Sequence, residues 1–154
     1  MARPIELPNA AALADCVGRD LGTTDWIEIS QARIDAFAEA TGDRQWIHCD
    51  AERAQRESPF KSTVAHGYLT LSLVPVLLAQ LLVVAGDGTV INAGIEKLRL
   101  SAPVPSGSRI RLSATIRDTR KLPRGGVRVA FEIRIDVEGA AKPACHGEIT
   151  YVYL

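Results

Sequence analysis

The sequence predicts an α+β fold in which an antiparallel sheet curls around one long buried helix. Residues 68–86, YLTLSLVPVLLAQLLVVAG, carry no charged side chain and are apolar on all sides, as in a helix at the centre of a core. Residues 108–118 and 127–138 instead alternate apolar and polar side chains, as half-buried antiparallel strands do. Such a sheet and such a helix bury each other's apolar surface, which predicts that they pack together.

The composition is that of one ordinary globular domain over residues 1–154, with 47% hydrophobic and 23% charged residues. Lys+Arg and Asp+Glu both number 18, so there is no net field to attract nucleic acid or an anionic membrane. The three cysteines show no CxxC spacing, which argues against a disulfide framework and for a reducing compartment. The start, MARPIELPNA, has no apolar secretory segment, so we expect a cytoplasmic protein.

Short elements are predicted before the long helix. Residues 25–30, DWIEIS, read as a short strand, after which Ser30 is a candidate N-cap for an amphipathic helix over 31–41. That helix would bury one face and end at Gly42, since glycine commonly follows a helix C-terminus. The residues expected on its inner face are Ile34, Phe37 and Ala38.

A second short helix is predicted after residue 50. Asp50 is its candidate N-cap, and AERAQRES stops before Pro59 because the residue before a proline disfavours helical geometry.

The long apolar segment has one alternative interpretation, a membrane-spanning helix, because its length approaches that requirement. Pro75 and Gln80 near its middle, and the lack of a basic flank, argue against this alternative. We expect a buried helix that absorbs Pro75 in a kink or irregular turn. One small sheet would not cover such a helix, which suggests a homodimer.

The second half predicts four strands joined by turns. Residues 102–107, APVPSG, form a turn-rich connection, and residues 121–126, KLPRGG, form a hairpin loop whose glycines supply backbone freedom. The predicted strands cover residues 91–100, 108–118, 127–138 and 145–154.

The segment GDRQWIHCD at 42–50 combines a carboxylate, Asp43, with His48, one of three histidines in the chain. On a helix a spacing of five leaves two side chains roughly 140° apart, and on a strand an odd spacing sends them to opposite faces. The two side chains therefore converge only if an irregular loop connects them. From the residues alone two interpretations stay open: a candidate catalytic pair, or a turn residue followed by a surface histidine.

The motif Asp43-x-Gln45-x-Ile47-His48, followed by Ala65-His66-Gly67 before the long apolar segment, resembles the MaoC-like, (R)-specific enoyl-CoA hydratases. Residues 91–111 resemble the first sheet strand and following turn of the same family, and the likeness covers roughly residues 30–115. The family motif is usually D-x-N-P-L-H, so Gln45 and Trp46 depart from it. These proteins have the hot-dog fold, a sheet wrapped around a central helix, and usually assemble as dimers.

The resemblance implies reversible hydration of trans-2-enoyl-CoA to (R)-3-hydroxyacyl-CoA, with one water held between Asp43 and His48. A carboxylate and an imidazole that share a water supply the base and the acid for this addition. Gln45 is implied as support for the pair, and the backbone N–H of Gly67 as a donor to the thioester carbonyl. No separate cofactor is expected, because coenzyme A is part of the substrate.

Other candidate groups have simpler interpretations. His66 is expected to be a supporting side chain that hydrogen-bonds near the helix start rather than a third catalyst. The grouping of His48, Cys49, Asp50 and His66 lacks zinc-site spacing, so no metal is expected. Cys49 is expected to be unreactive, and His146 to be a strand-face residue.

The arginines of the second half alternate with apolar residues, which predicts the solvated face of a sheet for most of them. A few of them, with Lys97 or Lys121, would meet the phosphates of coenzyme A or of an acyl-carrier protein, and the sequence does not choose which. The arginines concerned are at positions 109, 111, 117, 120, 124, 128 and 134.

Two other functions remain open at this point. A hot-dog acyl-CoA thioesterase would use a similar water to attack the carbonyl carbon. A non-catalytic acyl-binding subunit would keep the fold alone, although the Asp43 and His48 pair counts against it. Acyl chain length, carrier and pathway are not determined by the sequence.

Overall fold

The computed structural model describes residues 3–86, 88–123 and 125–154 of the chain. Asp87 and Arg124, the latter one of the arginines assigned to the solvated face, lie outside the described residues. In chain order the elements are β1 Ile5–Leu7, a 3₁₀ helix Ala10–Cys16, β2 Asp20–Thr23, β3 Ile27–Glu28, α1 Gln31–Thr41, α2 Trp46–Cys49, α3 Ala51–Glu57, α4 Gly67–Ser72, α5 Val74–Leu78, β4 Leu82–Val84, β5 Val90–Leu100, β6 Arg109–Lys121, β7 Val127–Val137 and β8 Cys145–Tyr153.

The main sheet is antiparallel throughout, with the strand order β2-β6-β7-β8-β5 and with β3 also paired to β6. Its four long strands are the four predicted from the sequence, the inner two of them in chain order, β6 and β7, from alternation. The hairpin between β6 and β7 is also as predicted: the Leu122 N–H donates to the Gly126 carbonyl over 3.1 Å, and Gly125 and Gly126 both have positive φ. A separate parallel ribbon pairs β1 with β4.

The core lies between the inner face of this sheet and the helices α4 and α5. Alternate residues of β6 and β7 are buried there, as the period-two pattern predicted. They pack in one cluster with Leu69 of α4 and with Val74 and Leu77 of α5. The α+β prediction is therefore confirmed, with sheet and helices burying each other's apolar surface.

The outer face of the sheet carries ion pairs, one of them between neighbouring strands and another along a single strand. Arg117 pairs with Glu132, and Arg134 Nε lies 2.7 Å from Asp136 Oδ1, with both arginines about half exposed. The prediction that these arginines lie on a solvated face is confirmed.

The predicted long helix over 68–86 is wrong in extent. Helix α4 ends at Ser72, α5 runs only from Val74 to Leu78, and residues from Leu82 to Val84 form strand β4 instead. The break falls where predicted, because Pro75 has no N–H to donate and stands at the start of a new helix. None of the described helices is both long enough and apolar enough to cross a membrane.

The helix is also less evenly buried than its composition suggested. Tyr68 is 72% exposed and Val76 is 57% exposed, so one side of α4 and α5 faces outward in a single chain.

Local capping chemistry explains the boundaries of the N-terminal helices. The Ser30 hydroxyl accepts from the Arg33 N–H over 3.3 Å at the start of α1, and Gly42 ends that helix with φ of 77°. Asp50 caps α3 by accepting from the Arg53 N–H over 2.9 Å. Both predicted caps are confirmed, whereas the strand predicted over 25–30 is limited to Ile27–Glu28.

Candidate active site

The sequence predicted an irregular loop between Asp43 and His48, but only part of this segment is irregular. Residues from Trp46 to Cys49 form the short helix α2, while the three residues before it remain outside any helix. This combination bridges the five-residue spacing: the chain leaves α1 at Gly42, passes Asp43, and then turns His48 into the interior. His48 is only 7% exposed.

His48 is held in one orientation by a backbone carbonyl. Its Nδ1 lies 2.6 Å from the Val64 carbonyl oxygen, and the Val64 N–H donates to the Ile47 carbonyl over 3.0 Å. Because a carbonyl oxygen only accepts, Nδ1 carries the proton in the neutral ring. The Nε2 of His48 is then left with a lone pair.

Asp43 is the more exposed member of the pair, with 56% of its side chain accessible. Its Oδ1 accepts from the Gln45 N–H over 3.4 Å, and its own N–H donates to the Thr41 hydroxyl over 3.4 Å. Ligand-type atoms of Asp43, His48 and His66 all lie within 4.8 Å of one another. A water molecule that makes two hydrogen bonds of about 2.8 Å spans such a separation.

His66 lies against both members of the pair. Its Nε2 is 2.9 Å from the backbone oxygen of Asp43, and its ring stacks on that of His48 with centroids 3.7 Å apart. The ring of Phe37 on α1 also contacts the His66 ring, with centroids 4.9 Å apart. His66 immediately precedes α4, where the sequence predicted a supporting hydrogen bond.

The three residues do not form a good metal site, despite their proximity. The two imidazole planes are inclined by only 25°, so lone pairs that lie in those planes do not converge on one ion at about 2 Å from each nitrogen. One nitrogen of each ring also contacts a carbonyl oxygen. The expectation of no metal stays a prediction that this geometry supports.

Gln45 and Trp46 stand where the usual family motif D-x-N-P-L-H has asparagine and proline. The Gln45 side chain is exposed, and the backbone carbonyl of Gln45 accepts from the His48 N–H over 2.9 Å at the start of α2. Trp46 is half-buried, with the Arg53 guanidinium 4.4 Å from its ring centroid. This cation–π contact ties α2 to α3, a packing role that the proline of the usual motif does not have.

Gly67 is the first residue of α4, among the positions whose N–H groups lack an intrahelical acceptor. A Cβ at this position would lie 2.4 Å from Leu100 Cδ1, so the end of β5 packs directly over the glycine. The absence of a side chain at Gly67 is thus part of how α4 meets the sheet.

Sequence reasoning missed Gln31, the first residue of α1. Its Nε2 donates to the His48 carbonyl over 2.7 Å, and its Oε1 accepts from the Thr63 hydroxyl over 2.5 Å. The amide therefore joins the two segments that carry His48 and His66. No sequence signal indicated this role, since a glutamine at the start of an amphipathic helix is ordinarily a surface residue.

The other candidates lie outside this cluster. Cys49 is exposed, and the pKa of its thiol is raised by partial desolvation and by Asp35 and Asp43, with Arg44 opposing. A raised pKa leaves little thiolate at neutral pH, which agrees with the expected lack of reactivity. His146 lies on β8 beside an outer-face cavity of about 430 Å³ that Lys97 also lines.

Two neighbouring cavities lie on the inner side of the sheet. They have volumes of about 300 and 220 Å³ and share Pro75, Asn92 and Tyr151 in their linings. They follow α4 and α5 away from Gly67 and open between α5 and the strands β5 and β8.

Comparison with known proteins identifies related chains. Residues 12–134 match the family model described as MaoC like domain. The 3-hydroxyacyl-thioester dehydratase Z of Mycobacterium tuberculosis is 43% identical over 146 residues, which cover 95% of this chain and 96% of that protein.

Solved structures give the same result for the fold. The R-hydratase PhaJ1 from Pseudomonas aeruginosa, in its unliganded form, has a TM-score of 0.69 and 30% identity, covering 88% of this chain and 79% of its own. The (R)-hydratase from A. caviae involved in PHA biosynthesis has a TM-score of 0.71 and 25% identity, covering 88% and 94%. The predicted hot-dog arrangement is confirmed by these likenesses.

Proposed function

The chain belongs to the MaoC-like dehydratase family, and from this premise we propose that it catalyses reversible (R)-specific hydration of trans-2-enoyl-CoA to (R)-3-hydroxyacyl-CoA. It is a hydro-lyase of the MaoC type with a thioester substrate. The observation that supports the finer proposal is the approach of polar atoms of Asp43 and His48 to within 4.8 Å of each other and of His66, which directly precedes α4.

The proposed chemistry begins with one water between these two side chains. The Asp43 carboxylate accepts one proton of the water in a hydrogen bond, and the Nε2 lone pair of His48 accepts the other. As the water oxygen attacks Cβ of the enoyl group, the pair takes up its proton and then delivers a proton to Cα. Addition from one side by one pair gives syn addition.

Negative charge develops on the thioester oxygen during this attack and requires fixed donors. The Gly67 N–H is the proposed donor, because a preorganised backbone amide is typically worth ~10²–10³ in rate. Gln45, at the start of α2, is proposed to support the pair or its water through its amide group.

The substrate would supply coenzyme A as its carrier, and no separate cofactor or metal takes part in the proposed reaction. An acyl-carrier protein is the other possible carrier, and Lys97 or Lys121 with the sheet arginines are the candidate phosphate contacts. We propose a cytoplasmic location and a homodimer, with neither nucleic acid nor a membrane as partner.

Crotonyl-CoA distinguishes this reaction from thioester hydrolysis. A hydratase removes the enoyl-thioester absorbance without releasing thiol, and an (R)-specific dehydrogenase then oxidises the product. Thiol release from a saturated acyl-CoA, without hydration of crotonyl-CoA, would instead identify a thioesterase.

Asp43→Asn should lower kcat for crotonyl-CoA hydration by about 10²–10⁴, because the variant loses a proton acceptor. Its Oδ1 remains available to the Gln45 N–H, and the position is exposed, so the thermal unfolding midpoint should stay near that of the parent. Asp25→Asn is the matched control, an exposed carboxylate elsewhere in the chain. Full activity in the Asp43 variant would remove Asp43 from the mechanism.

A further inference from the structure

His66 contacts both members of the proposed catalytic pair through two different parts of its ring. Its Nε2 lies 2.9 Å from the backbone oxygen of Asp43, and its ring face lies 3.7 Å from the ring of His48. We propose that His66 is a positioning residue, whose Nε2–H fixes the backbone of Asp43 at a set place beside the imidazole of His48. This proposal rests on the hydration reaction proposed above.

The hydrogen bond to Asp43 determines where His66 carries its proton. A backbone carbonyl only accepts, so the bond requires a proton on Nε2. His48 has the opposite arrangement, with its proton on Nδ1 toward the Val64 carbonyl. The two stacked rings are therefore held as different tautomers, each by a main-chain oxygen.

The ring of His66 has little freedom to move. It is 3% exposed and lies against Phe37 on α1 as well as against His48. Its Nδ1 is buried and has no hydrogen-bond partner among the residues that the structure describes. Packing and the single Nε2–H bond together therefore define the orientation of the ring.

The hydrogen bond from His66 is the shortest of those that hold Asp43 in place. Its side chain is 56% exposed, and the other two hydrogen bonds described for it are each 3.4 Å long. The 2.9 Å bond from His66 is thus the shorter restraint on the residue that would activate the water. A misplacement of about 1 Å in such a group can lower a rate by about 10².

The length of the side chain offers a matched pair of variants. In His66→Gln the amide nitrogen occupies the place of Nε2, so a donor still reaches the Asp43 carbonyl. In His66→Asn the amide nitrogen stands where Nδ1 was and falls short of that carbonyl. The two variants carry the same amide group and both lose the stacked ring, so they differ by one methylene and by the reach of the donor that it provides. His66→Phe keeps a ring on His48 and removes the donor.

The measurement is kcat and KM for hydration of crotonyl-CoA, with thermal unfolding of each variant as the check on folding. We expect His66→Asn and His66→Phe to lose about 10–100-fold in kcat with KM nearly unchanged, and His66→Gln to recover at least about tenfold over His66→Asn. A role in stability alone would lower the unfolding midpoint of all three variants without this recovery.

Equal kcat in the Gln and Asn variants would overturn the proposal, as would wild-type kcat in the Phe variant. A parent protein that fails to hydrate crotonyl-CoA would refute the proposed function instead. The ¹⁵N NMR spectrum of the imidazoles then still tests the positioning bond, because it distinguishes the two tautomers of a histidine. The bond to Asp43 requires the Nε2–H form for His66, whereas the bond to Val64 requires the Nδ1–H form for His48. An Nδ1–H form at His66 would overturn the proposal even in an inactive protein.

Discussion

The hydroxyl group of Tyr151 is buried in the core. The residue is 6% exposed, and its hydroxyl has no hydrogen-bond partner among the described residues. Its ring packs edge-on against Phe131, with centroids 5.6 Å apart.

Burial also raises the pKa of Tyr151 to about 12, with the Tyr153 phenol adding to the effect. An unfolded tyrosine loses its proton near pH ~10, so between pH ~10 and ~12 the unfolded state binds fewer protons than the folded state. The free energy of unfolding should therefore be unaffected below this window and fall as pH rises through it. Urea unfolding from neutral pH upward measures this decline.

Tyr151→Phe should reduce the alkaline decline without abolishing it, because burial also raises the pKa of Tyr153 to about 12 and that of Cys145 to about 11. Tyr68→Phe is the matched control, since that side chain is 72% exposed. An identical alkaline decline in the Tyr151 variant and the parent would contradict the assignment.

At the scale of single residues, Asp43 and His48 were predicted from their residue types and from the resemblance of their segment to the D-x-N-P-L-H motif, and their catalytic role stays a prediction. The sequence did not predict Gln31, whose amide links residues distant in the chain. It also did not predict the stacking of His48 on His66. Such contacts depend on how α1, α2 and the segment before α4 pack together, and no periodicity in the sequence encodes that packing.

Strand β5 shifts register against β8 at two points, after Asn92 and after Glu96, and β8 accommodates the second shift with a glycine. The pairing of the two strands shifts register between Glu96 and Arg99, and Lys97 has φ of 51° within this bulge. Opposite it, Gly147 allows the bulged backbone to approach closely. A Cβ there would lie 2.6 Å from Leu98 Cα and 3.0 Å from Leu98 N.

Gly147→Ala should lower the free energy of unfolding by about 1–3 kcal/mol, because main-chain atoms of the bulge would have to move. Gly94→Ala in β5 is the matched control, since its Cβ would meet Thr150 Cβ at an ordinary 3.7 Å. That control should change stability by less than about 0.5 kcal/mol. Urea unfolding of both variants makes the comparison, and equal stability would show that the bulge yields easily.

At the scale of elements, capping residues predicted α1 and α3, and alternation predicted β6 and β7, beside which β5 and β8 were also expected. The apolar run after Gly67 was misjudged because hydrophobicity alone does not distinguish a buried helix from a buried strand. Pro75 interrupts the helix, and the β-branched Val83 and Val84 pair with β1 at the other end of the chain. Only the tertiary partner determines that Leu82–Val84 is a strand.

At the scale of the whole molecule, no described strand covers the outer edge of β5, which exposes apolar side chains. Strand β5 is at the end of the main sheet's strand order, so one side of its backbone faces outward. Four large apolar side chains of this strand are between 44% and 55% exposed: Val90, Ile91, Ile95 and Leu100. Edge strands are normally protected by charges, a proline or a covering element, and the charges of β5 all lie around its bulge, at Glu96, Lys97 and Arg99, which leaves residues 90–95 without one.

We predict that a second copy of the chain packs against this edge of β5. Two β5 strands can extend the sheet across a two-fold axis, which satisfies both free edges at once and makes the contact self-complementary. Leu100, at the end of β5, already packs on Gly67, so the interface would adjoin the proposed amide donor. Dimerisation would then shield a site whose Asp43 is open to solvent in one chain.

Sedimentation of the purified protein should therefore give the mass of a dimer. Ile95→Glu should shift it toward the monomer and lower kcat, because a carboxylate would be buried against the partner strand at a cost of several kcal/mol. Val17→Glu is the matched control, an exposed valine (48%) just after the 3₁₀ helix, and it should leave the mass unchanged. A monomeric parent would contradict the predicted dimer. A dimer that tolerates Glu at position 95 would show that the interface does not include the edge of β5.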